Sequence, residues 1–421
     1  MLKNQLKESL QKEIARIDAA ATSKRNERII EGFHSRNGES PRAMIGGKSY
    51  LVFNSNDYLG LRFNSLVREA EGRGDEKFGA GPGAVRFISG TSRSHKNLEH
   101  ALAKFHGRED AMLFSSAFSA NLAVIHCLIK GQSKDSLISD NTLVVSDALN
   151  HRSIIEGIRV ANLAKENRQI FAHLESADLK RILEENKEKF KRVLVISDGV
   201  FSMLGEFADI AALRKVVDAF QDAYDEGVLL MIDDCHGIAA LGASGRGCEE
   251  VCKAKADVLI GTLGKGFGVD GGYVVGDKVL IDYLRESAAT YIYSNPITPG
   301  AASAGLLAVQ VVDGLEGQSL LERLHENISY FKSAMKKAGF SFIVNSNHPI
   351  QPVSTKTPEL TKTLVEELFK EGVLVTNINY PVVPKGQDEI RVQLSAVQTK
   401  ADIDEFVQKA KTAAIGCGLF S

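Results

Sequence analysis

Apolar residues recur along this chain in two ways, at helical spacing and in short continuous runs. Leu6, Leu10 and Ile14 share one face of a helix in this pattern, which predicts an amphipathic helix within the first twenty residues. We expect such an arm to pack on the body of the protein or on a second subunit. The same spacing predicts helices from Ser94 to His106 and from Lys400 to about Ala413.

Short apolar runs rich in β-branched residues predict buried strands, and helical patterns lie between most of them. The predicted strands span Ser49–Phe53, Ala111–Phe114, Leu143–Val145, Arg192–Ile196, Val228–Ile232, Val258–Ile260, Tyr273–Val275 and Glu389–Leu394. Strands that alternate with helices are typical of a parallel or largely parallel sheet with helices on both faces. The sequence therefore predicts an α/β fold.

Ligands of such sheets bind beyond the carboxyl ends of the strands, so the residues after each predicted strand are the candidates for a site. After the strand at Ala111–Phe114, the segment Ser115-Ser116-Ala117-Phe118-Ser119 opens a helix whose free amides suit a phosphate. The later strand ends carry a larger polar set: Asp147 and His151, Asp198 and Ser202, Asp233, Asp234 and His236, and Thr262 and Lys265. So many charged groups at one sheet edge predict a ligand site rather than a series of helix caps.

Lys265 lies between two glycines, where no bulky neighbour shields an amine that could form an imine with a carbonyl ligand. The segment Gly266–Gly271 has the letters of a dinucleotide fingerprint, but a predicted strand follows it, whereas that fingerprint opens a helix. A metal site at Asp233, Asp234 and His236 is the alternative interpretation. It is disfavoured because adjacent aspartates on a strand point to opposite faces and a lysine shares the edge.

Composition limits the classes of partner. The chain has 421 residues, 44% of them apolar, which is enough for a sizeable core and for two domains. A net charge of −2 gives no electrostatic reason to expect nucleic acid or an anionic membrane as a partner. Five cysteines without a Cys-x-x-Cys pair and the lack of a long apolar segment lead us to expect a cytoplasmic protein without a membrane span.

Several motifs follow one another in order between Asn54 and Ala396. They are Asn56-Asp-Tyr-Leu-Gly-Leu, Val85-Arg-Phe-Ile-Ser-Gly-Thr, Ser146-Asp-Ala-Leu-Asn-His, Asp198-Gly-Val-Phe-Ser-Met, Asp233-Asp-Cys-His, Gly261-Thr-Leu-Gly-Lys, Tyr293-Ser-Asn, and Pro381-Val-Val-Pro-Lys-Gly followed by Ile390-Arg391. Together they resemble the α-oxoamine synthases, which are fold-type I enzymes that use pyridoxal 5′-phosphate. The resemblance implies a large domain with a mainly parallel seven-stranded-type sheet and a smaller C-terminal α+β domain. We expect an N-terminal helical arm over residues 1–50, the large cofactor-binding domain over 51–298 and the small domain over 299–421.

The resemblance also implies roles for the residues that would surround the cofactor. Lys265 would hold it as a Schiff base and later move the α-proton of the substrate. Asp233 would pair with the pyridine nitrogen and keep the ring protonated. His236 and Ser202 would contact the phenolic oxygen, and His151 would stack on the ring.

The phosphate and the substrate have their own implied partners. The start of the helix at Ser116, Ala117 and Phe118 would hold the phosphate together with the Thr262 hydroxyl. Ser294 would reach the phosphate of a neighbouring subunit, so the resemblance implies a homodimer with shared active sites. Arg391 would grip the substrate carboxylate through two parallel hydrogen bonds, with Asn56 nearby. No metal ligand is implied.

The implied reaction condenses an amino acid with an acyl-coenzyme A, releases coenzyme A and yields a β-keto amino acid or an aminoketone. Among members of the family, the motifs are most similar to the glycine C-acetyltransferase branch, which points to glycine and acetyl-coenzyme A. Two departures leave the acyl donor open. The glycine loop Gly79–Ala84 looks longer than in that branch, and Val397 and Gln398 replace the usual small residue and histidine.

Other activities therefore stay open. A serine palmitoyltransferase-like or 8-amino-7-oxononanoate synthase-like reaction would keep the same residues and mechanism. An aminotransferase would use the same fold and lysine without consuming a thioester. An inactive regulatory subunit is the alternative outside the enzymes, and the presence of Lys265, Asp233 and Arg391 together argues against it.

Overall fold

A computed structural model of the protein describes all residues except 1, 20–22, 26, 36–39, 132, 134, 139, 379–385, 387 and 421. The strands are β1 (Gly32–His34), β2 (Arg42–Ile45), β3 (Lys48–Val52), β4 (Asp110–Phe114), β5 (Thr142–Asp147), β6 (Arg168–Phe171), β7 (Arg192–Asp198), β8 (Val228–Asp233), β9 (Val258–Thr262), β10 (Gly272–Gly276), β11 (Ile350–Ser354), β12 (Val373–Leu374), β13 (Thr376–Ile378) and β14 (Glu389–Gln393). The α-helices are α1 (Asn4–Ala19), α2 (Ser65–Phe78), α3 (Arg93–His106), α4 (Ala117–Ile129), α5 (Arg152–Val160), α6 (Ser176–Glu185), α7 (Ile210–Asp218), α8 (Cys248–Cys252), α9 (Lys278–Ser287), α10 (Ala289–Ile292), α11 (Pro299–Val312), α12 (Leu315–Lys337), α13 (Pro358–Lys370) and α14 (Lys400–Gly416). The strands and helices predicted from the sequence all form, with ends within a few residues of those expected.

A seven-stranded sheet organises the larger part of the molecule. Its strand order is β4-β10-β9-β8-β7-β5-β6. β10 runs antiparallel to both of its neighbours, and the remaining pairs are parallel. This confirms the predicted α/β fold with a mainly parallel sheet.

The central strands read as continuous apolar runs because helices cover both of their faces. On β7, Val193 and Val195 belong to one apolar layer, whereas Leu194 and Ile196 belong to the layer on the other face. The edge strand β6 was not predicted, since its residues are mostly polar or exposed and show no apolar run.

The start of α4 is held close to the sheet by a glycine. A Cβ added at Gly272 on β10 would lie 2.1 Å from the amide nitrogen of Ala117, the first residue of α4. Only glycine therefore allows β10 to lie directly against this helix start. The close approach brings the amides of α4 to the carboxyl edge of the sheet.

The C-terminal part of the chain adds a three-stranded antiparallel sheet in the order β11-β14-β13, and Arg391 lies on its central strand. β12 instead pairs with β3, so a four-stranded sheet joins segments from the two ends of the chain. α11 packs against α2 and α3. The predicted domain boundaries at 50/51 and 298/299 stay a prediction.

No residue of α1 is buried, and Leu6, Leu10 and Ile14 on its apolar face are between 44% and 48% exposed. The apolar face is thus not covered by the body of the same chain, and packing on a second subunit remains a prediction. Across the described residues, none of the helices has the length and apolar character needed to cross a membrane.

Candidate active site

A pocket of about 260 Å³ lies at the carboxyl edge of the seven-stranded sheet. It is lined by Ser116, Ala117, Phe118, His151, Ser153, Asp198, Val200, Ser202, Asp233, Cys235, His236, Thr262 and Lys265. These residues follow β4, β5, β7, β8 and β9, as expected for ligand sites in open α/β sheets. The fold thus brings together most of the site residues predicted from separate motifs.

Asp233, the last residue of β8, lies buried at the floor of the pocket. Its Oδ2 accepts a hydrogen bond of 2.6 Å from Asn121 Nδ2, and its Oδ1 accepts one from the backbone amide of Cys235. Asn121 also donates to Ser153 Oγ, which lies 2.7 Å from His151 Nδ1. Neutral groups therefore orient the Asp233 carboxylate, and none of the described residues places a cation in a salt bridge with it.

Asp198 adds a second buried carboxyl beside the first, since Asp198 and Asp233 are paired residues on adjacent strands. Its Oδ2 accepts a hydrogen bond from the His151 amide, whereas its Oδ1 has no partner among the described residues. Burial, and then the charge of Asp233, raise the pKa of Asp198 well above its usual value. One carboxyl of the pair therefore favours its neutral form.

Donors for an anion converge on the opposite side of the pocket. Ser116 caps α4 by accepting a hydrogen bond from the Ser119 amide, and the amides of Ala117 and Phe118 lie in the first turn, where a helix offers them no internal partner. The Thr262 hydroxyl donates to the Gly271 carbonyl and accepts from the Gly264 amide. The positive end of α4 makes this corner favourable for a phosphate.

His236 is held from two sides. Its Nδ1 lies 2.7 Å from the hydroxyl of Tyr58, and its backbone carbonyl lies 2.8 Å from His348 Nε2. Burial, followed by the charge of Lys265, lowers the pKa of His236 well below its usual value. The ring is therefore a neutral imidazole that can donate from only one of its nitrogens.

Arg391 and Asn56 lie beside the pocket rather than in its lining. The Arg391 guanidinium donates from Nη1 to the Ser202 carbonyl at 2.8 Å, and its Nε has no partner among the described residues. Asn56 Oδ1 accepts a hydrogen bond from Gln393 Nε2. Both predicted substrate-binding residues thus reach the same rim, with Arg391 next to Ser202.

Some predicted features lie elsewhere. Ser294 does not line the pocket of its own chain. The motif segment Pro381–Lys385 lies outside the described residues. Asp234 points away from the site as expected, accepts the Cys248 amide at 2.7 Å, and burial raises its pKa to about 7. Within the described ranges, no group of three or more potential metal ligands comes together.

Several residues of this site were not assigned a role from the sequence. Asn121 and Ser153 lie inside helices, and Tyr58 lies in a loop that follows a different sheet. The contacts of Asn121 with Asp233 and of Tyr58 with His236 join residues far apart in the chain, so no local pattern signals them, whereas Ser153 lies two residues after its partner His151. Only the motif around Tyr58 could have directed attention to that position.

Comparisons with known proteins agree with this architecture. A family model described as aminotransferase class I and II matches residues 48–409. An 8-amino-7-oxononanoate synthase of Thermosipho melanesiensis is 39% identical over 88% of this chain and 90% of its own length. A mitochondrial 2-amino-3-ketobutyrate coenzyme A ligase of Bos taurus is 37% identical over 96% of this chain and 91% of its own length.

Solved structures show the same fold. A serine palmitoyltransferase of S. paucimobilis superposes with a TM-score of 0.85 at 24% identity, covering 98% of each chain. An 8-amino-7-oxononanoate synthase of Francisella tularensis gives a TM-score of 0.69, covering 87% of this chain. At these identities the likeness concerns the fold alone.

Proposed function

We propose that this protein is an acyltransferase dependent on pyridoxal 5′-phosphate. The chain belongs to the α-oxoamine synthases within the aminotransferase class I and II family, and this membership supports the proposal. It condenses an amino acid with an acyl-coenzyme A and releases coenzyme A. The convergence of Lys265, Asp233, His236 and the start of α4 on one pocket is the observation that carries the proposal.

The donor set of the pocket fits the cofactor. Asp233, oriented by Asn121, offers a carboxylate to a ring nitrogen. The first amides of α4 offer donors to a phosphate. The Thr262 hydroxyl, which donates to the Gly271 carbonyl here, would have to rotate its proton toward the phosphate to bind it. Lys265 follows β9, which lies between β8, the strand that ends in Asp233, and β10, the strand against the start of α4. Its amine therefore comes from the strand between these two regions.

When bound, the cofactor supplies an electron-withdrawing ring that stabilises a negative charge at the α-carbon of the amino acid. Lys265 would hold the cofactor through its Nζ and would afterwards move the α-proton with the same atom. Asp233 would pair with the ring nitrogen and favour its protonated state, because a nearby carboxylate favours the charged form. His151 would stack on the ring, and His236 with Ser202 would bind the ring oxygen.

Arg391 selects which bond of the amino acid reacts. Its guanidinium can bind a carboxylate through two parallel hydrogen bonds, and its anchor on the Ser202 carbonyl fixes its position. Asn56, restrained by Gln393, would contact the same carboxylate. Holding the carboxylate at the rim leaves the α-proton directed at Lys265.

The assembly, the domains and the compartment are part of the proposal. A homodimer would bring Ser294 of one subunit to the phosphate site of the other, and the exposed apolar face of α1 is consistent with a partner surface. The arm over 1–50, the large domain over 51–298 and the small domain over 299–421 would follow the pattern of the family. We propose a cytoplasmic location.

Glycine and acetyl-coenzyme A are the proposed substrates, and the motifs and the 2-amino-3-ketobutyrate coenzyme A ligase relative support them. The similarity to an 8-amino-7-oxononanoate synthase favours that activity as the second candidate. Gln398 bonds through its side chain to the Ser395 amide and the Val52 carbonyl, and it does not line the pocket.

A thiol-release assay tests the proposal. Cofactor-loaded protein is mixed with acetyl, medium-chain or palmitoyl-coenzyme A and with glycine, alanine or serine. Preference for acetyl-coenzyme A with glycine is the expected result. Preference for a longer donor would retain the roles of the residues but indicate the activity of another member of the family. Absence of thiol release with every pair would instead favour the aminotransferase alternative.

A further inference from the structure

Tyr58 connects two groups that the proposed function places on different ligands. It belongs to the loop that carries Asn56, and its side chain is completely buried. Its hydroxyl lies 2.7 Å from His236 Nδ1 and 3.5 Å from Asn56 Oδ1. Tyr58 does not line the pocket, so a direct contact with a ligand there does not explain its position.

The direction of the Tyr58–His236 hydrogen bond can be derived from these distances. Burial keeps the tyrosine protonated by raising its pKa above the usual value. Asn56 Oδ1 already accepts from Gln393 and is too far from the hydroxyl for a strong bond. The hydroxyl proton therefore goes to His236 Nδ1, because this nitrogen is the one acceptor within 3 Å that the described residues offer.

A neutral imidazole carries one proton, so an Nδ1 that accepts from Tyr58 leaves the proton on Nε2. Nε2 has no partner among the described residues, and His236 lines the pocket. His348 supports this arrangement, since its Nδ1 accepts from the Ile350 amide and its Nε2 donates to the His236 carbonyl. Besides burial, Lys265, Arg391, His151 and His348 are charged or titratable groups that lower the pKa of His236, and Tyr58 contacts its ring directly.

We propose that Tyr58 is a positioning residue that fixes His236 in the tautomer with the proton on Nε2, so that His236 donates a hydrogen bond to the cofactor's phenolic oxygen. The inference rests on the proposed function for the identity of that acceptor. The Tyr58 hydroxyl itself touches neither substrate nor cofactor. Its effect is to make His236 a hydrogen-bond donor from Nε2.

Absorption of cofactor-loaded Tyr58→Phe, recorded without substrate, tests the proposal. A donor at the phenolic oxygen stabilises the form in which that oxygen is negatively charged, and this form absorbs at longer wavelength. One lost hydrogen bond should lower the ratio of the long-wavelength to the short-wavelength band by about threefold to tenfold. An unchanged band ratio in folded Tyr58→Phe would overturn the assignment.

Tyr273→Phe is the matched control. Tyr273 is equally buried and its hydroxyl lies 2.9 Å from Nε2 of a buried histidine, His106, away from the pocket. Its loss should lower stability in the same way and leave the two absorption bands unchanged. If both variants changed the bands alike, the effect would be structural and the proposal would be wrong.

Nitrogen-15 spectra of histidine-labelled protein without cofactor give a reading that does not depend on Tyr58→Phe folding. The His236 signals are identified by their loss in His236→Asn. A proton on Nε2 in the unmodified protein supports the proposal, and a proton on Nδ1 overturns it. Absence of any long-wavelength band in the unmodified loaded protein would instead contradict the proposed function, together with the inference built on it.

Discussion

Two neighbouring clusters of charged side chains occupy the carboxyl edge of the seven-stranded sheet, and they differ in how their charges are paired. The first is the pocket around Asp233 and Lys265. The second, which we call the ion-pair cluster, consists of Asp147 at the end of β5, His173 after β6 and Glu206 after β7. His173 Nδ1 lies 2.9 Å from Asp147, and its Nε2 lies 3.3 Å from Glu206.

Groups of the same chain provide hydrogen-bond and packing partners for the ion-pair cluster. Asp147 also accepts hydrogen bonds from the amides of Leu149 and Leu174, and the His173 ring packs edge-on against Phe201. In the pocket, by contrast, Asp233 is bonded to neutral donors and Asp198 keeps one oxygen without a partner among the described residues. Buried carboxyl groups without a cationic partner at a strand end therefore indicate a ligand site, whereas carboxylates paired with a cation there hold loops in place.

Among the substitutions in the two clusters, Lys265→Ala should cause the largest loss of turnover. Removal of the amine that holds the cofactor and moves the α-proton should lower turnover by at least about 1,000-fold. Steady-state thiol release measures the loss. Lys278→Ala, which breaks an exposed ion pair with Asp282, is the control and should retain full activity. Turnover that survives Lys265→Ala would contradict the proposed mechanism.

Asp233→Asn and Asp147→Asn change the same atom type in the two clusters with opposite consequences. Asp233→Asn should lower turnover by about 100-fold, because the ring nitrogen loses its charged partner, and should lower the unfolding free energy by about 1 kcal/mol, because one of the two hydrogen bonds that Asp233 accepts is lost. Asp147→Asn should lower the unfolding free energy by about 1 to 3 kcal/mol and leave most of the turnover. Thiol release and thermal unfolding separate the two effects. The distinction between the clusters would fail if both substitutions acted mainly on stability.

Arg391→Lys should affect one substrate only. A lysine cannot make two parallel hydrogen bonds to a carboxylate, so the KM for the amino acid should rise by about tenfold. The KM for the acyl-coenzyme A should stay unchanged, since the proposed role of the guanidinium is to bind the amino acid. Arg181→Lys, in an exposed ion-pair group on α6, is the control. A rise in both KM values would show that Arg391 acts on the fold of the rim.

The sequence predicted the sheet and the edge that carries the site because both depend on local pattern. The fully buried β7 and β8 are continuous apolar runs, and the polar residues follow them directly. The edge strand β6 has no such run, and its place in the sheet depends on pairing with β5. The two-residue strand β12 lies in the short apolar run Val373-Leu-Val375, but it pairs with β3, which lies near the other end of the chain.

The residues that position the reactive groups were harder to predict from the sequence than the reactive groups themselves. Lys265 and Asp233 belong to motifs that carry the resemblance to the α-oxoamine synthases, and that resemblance implied their roles. Asn121, which orients Asp233, and Tyr58, which contacts His236, act through contacts that exist only after folding. The ion-pair cluster joins three loops, so its pairing cannot be derived from the order of Asp147, His173 and Glu206 along the chain.

Substitution of His173 should have the smallest effect. It should change how the free energy of unfolding depends on pH, through the charge of the ion-pair cluster. Burial alone would lower the pKa of His173, but its hydrogen bonds to Asp147 and Glu206 and their charges outweigh burial and raise it from 6.5 to about 9. A raised pKa means that the folded state binds the proton more tightly. The stabilisation is therefore complete below about pH 6.5 and disappears as the pH rises through about 9.

His173→Gln should remove this pH dependence, because glutamine keeps a polar contact but carries no charge. At about 1.4 kcal/mol for each pH unit, the shift sets a ceiling of about 3 kcal/mol, and we expect a loss of about 1 to 3 kcal/mol at pH 6 that shrinks toward zero near pH 10. Denaturant unfolding of both proteins across this range measures it. Glu389, whose pKa burial raises to about 8, titrates in the same window, but it is present in both proteins and largely cancels in the difference. A stability difference that is constant with pH would show that His173 acts through packing on Phe201 rather than through its charge.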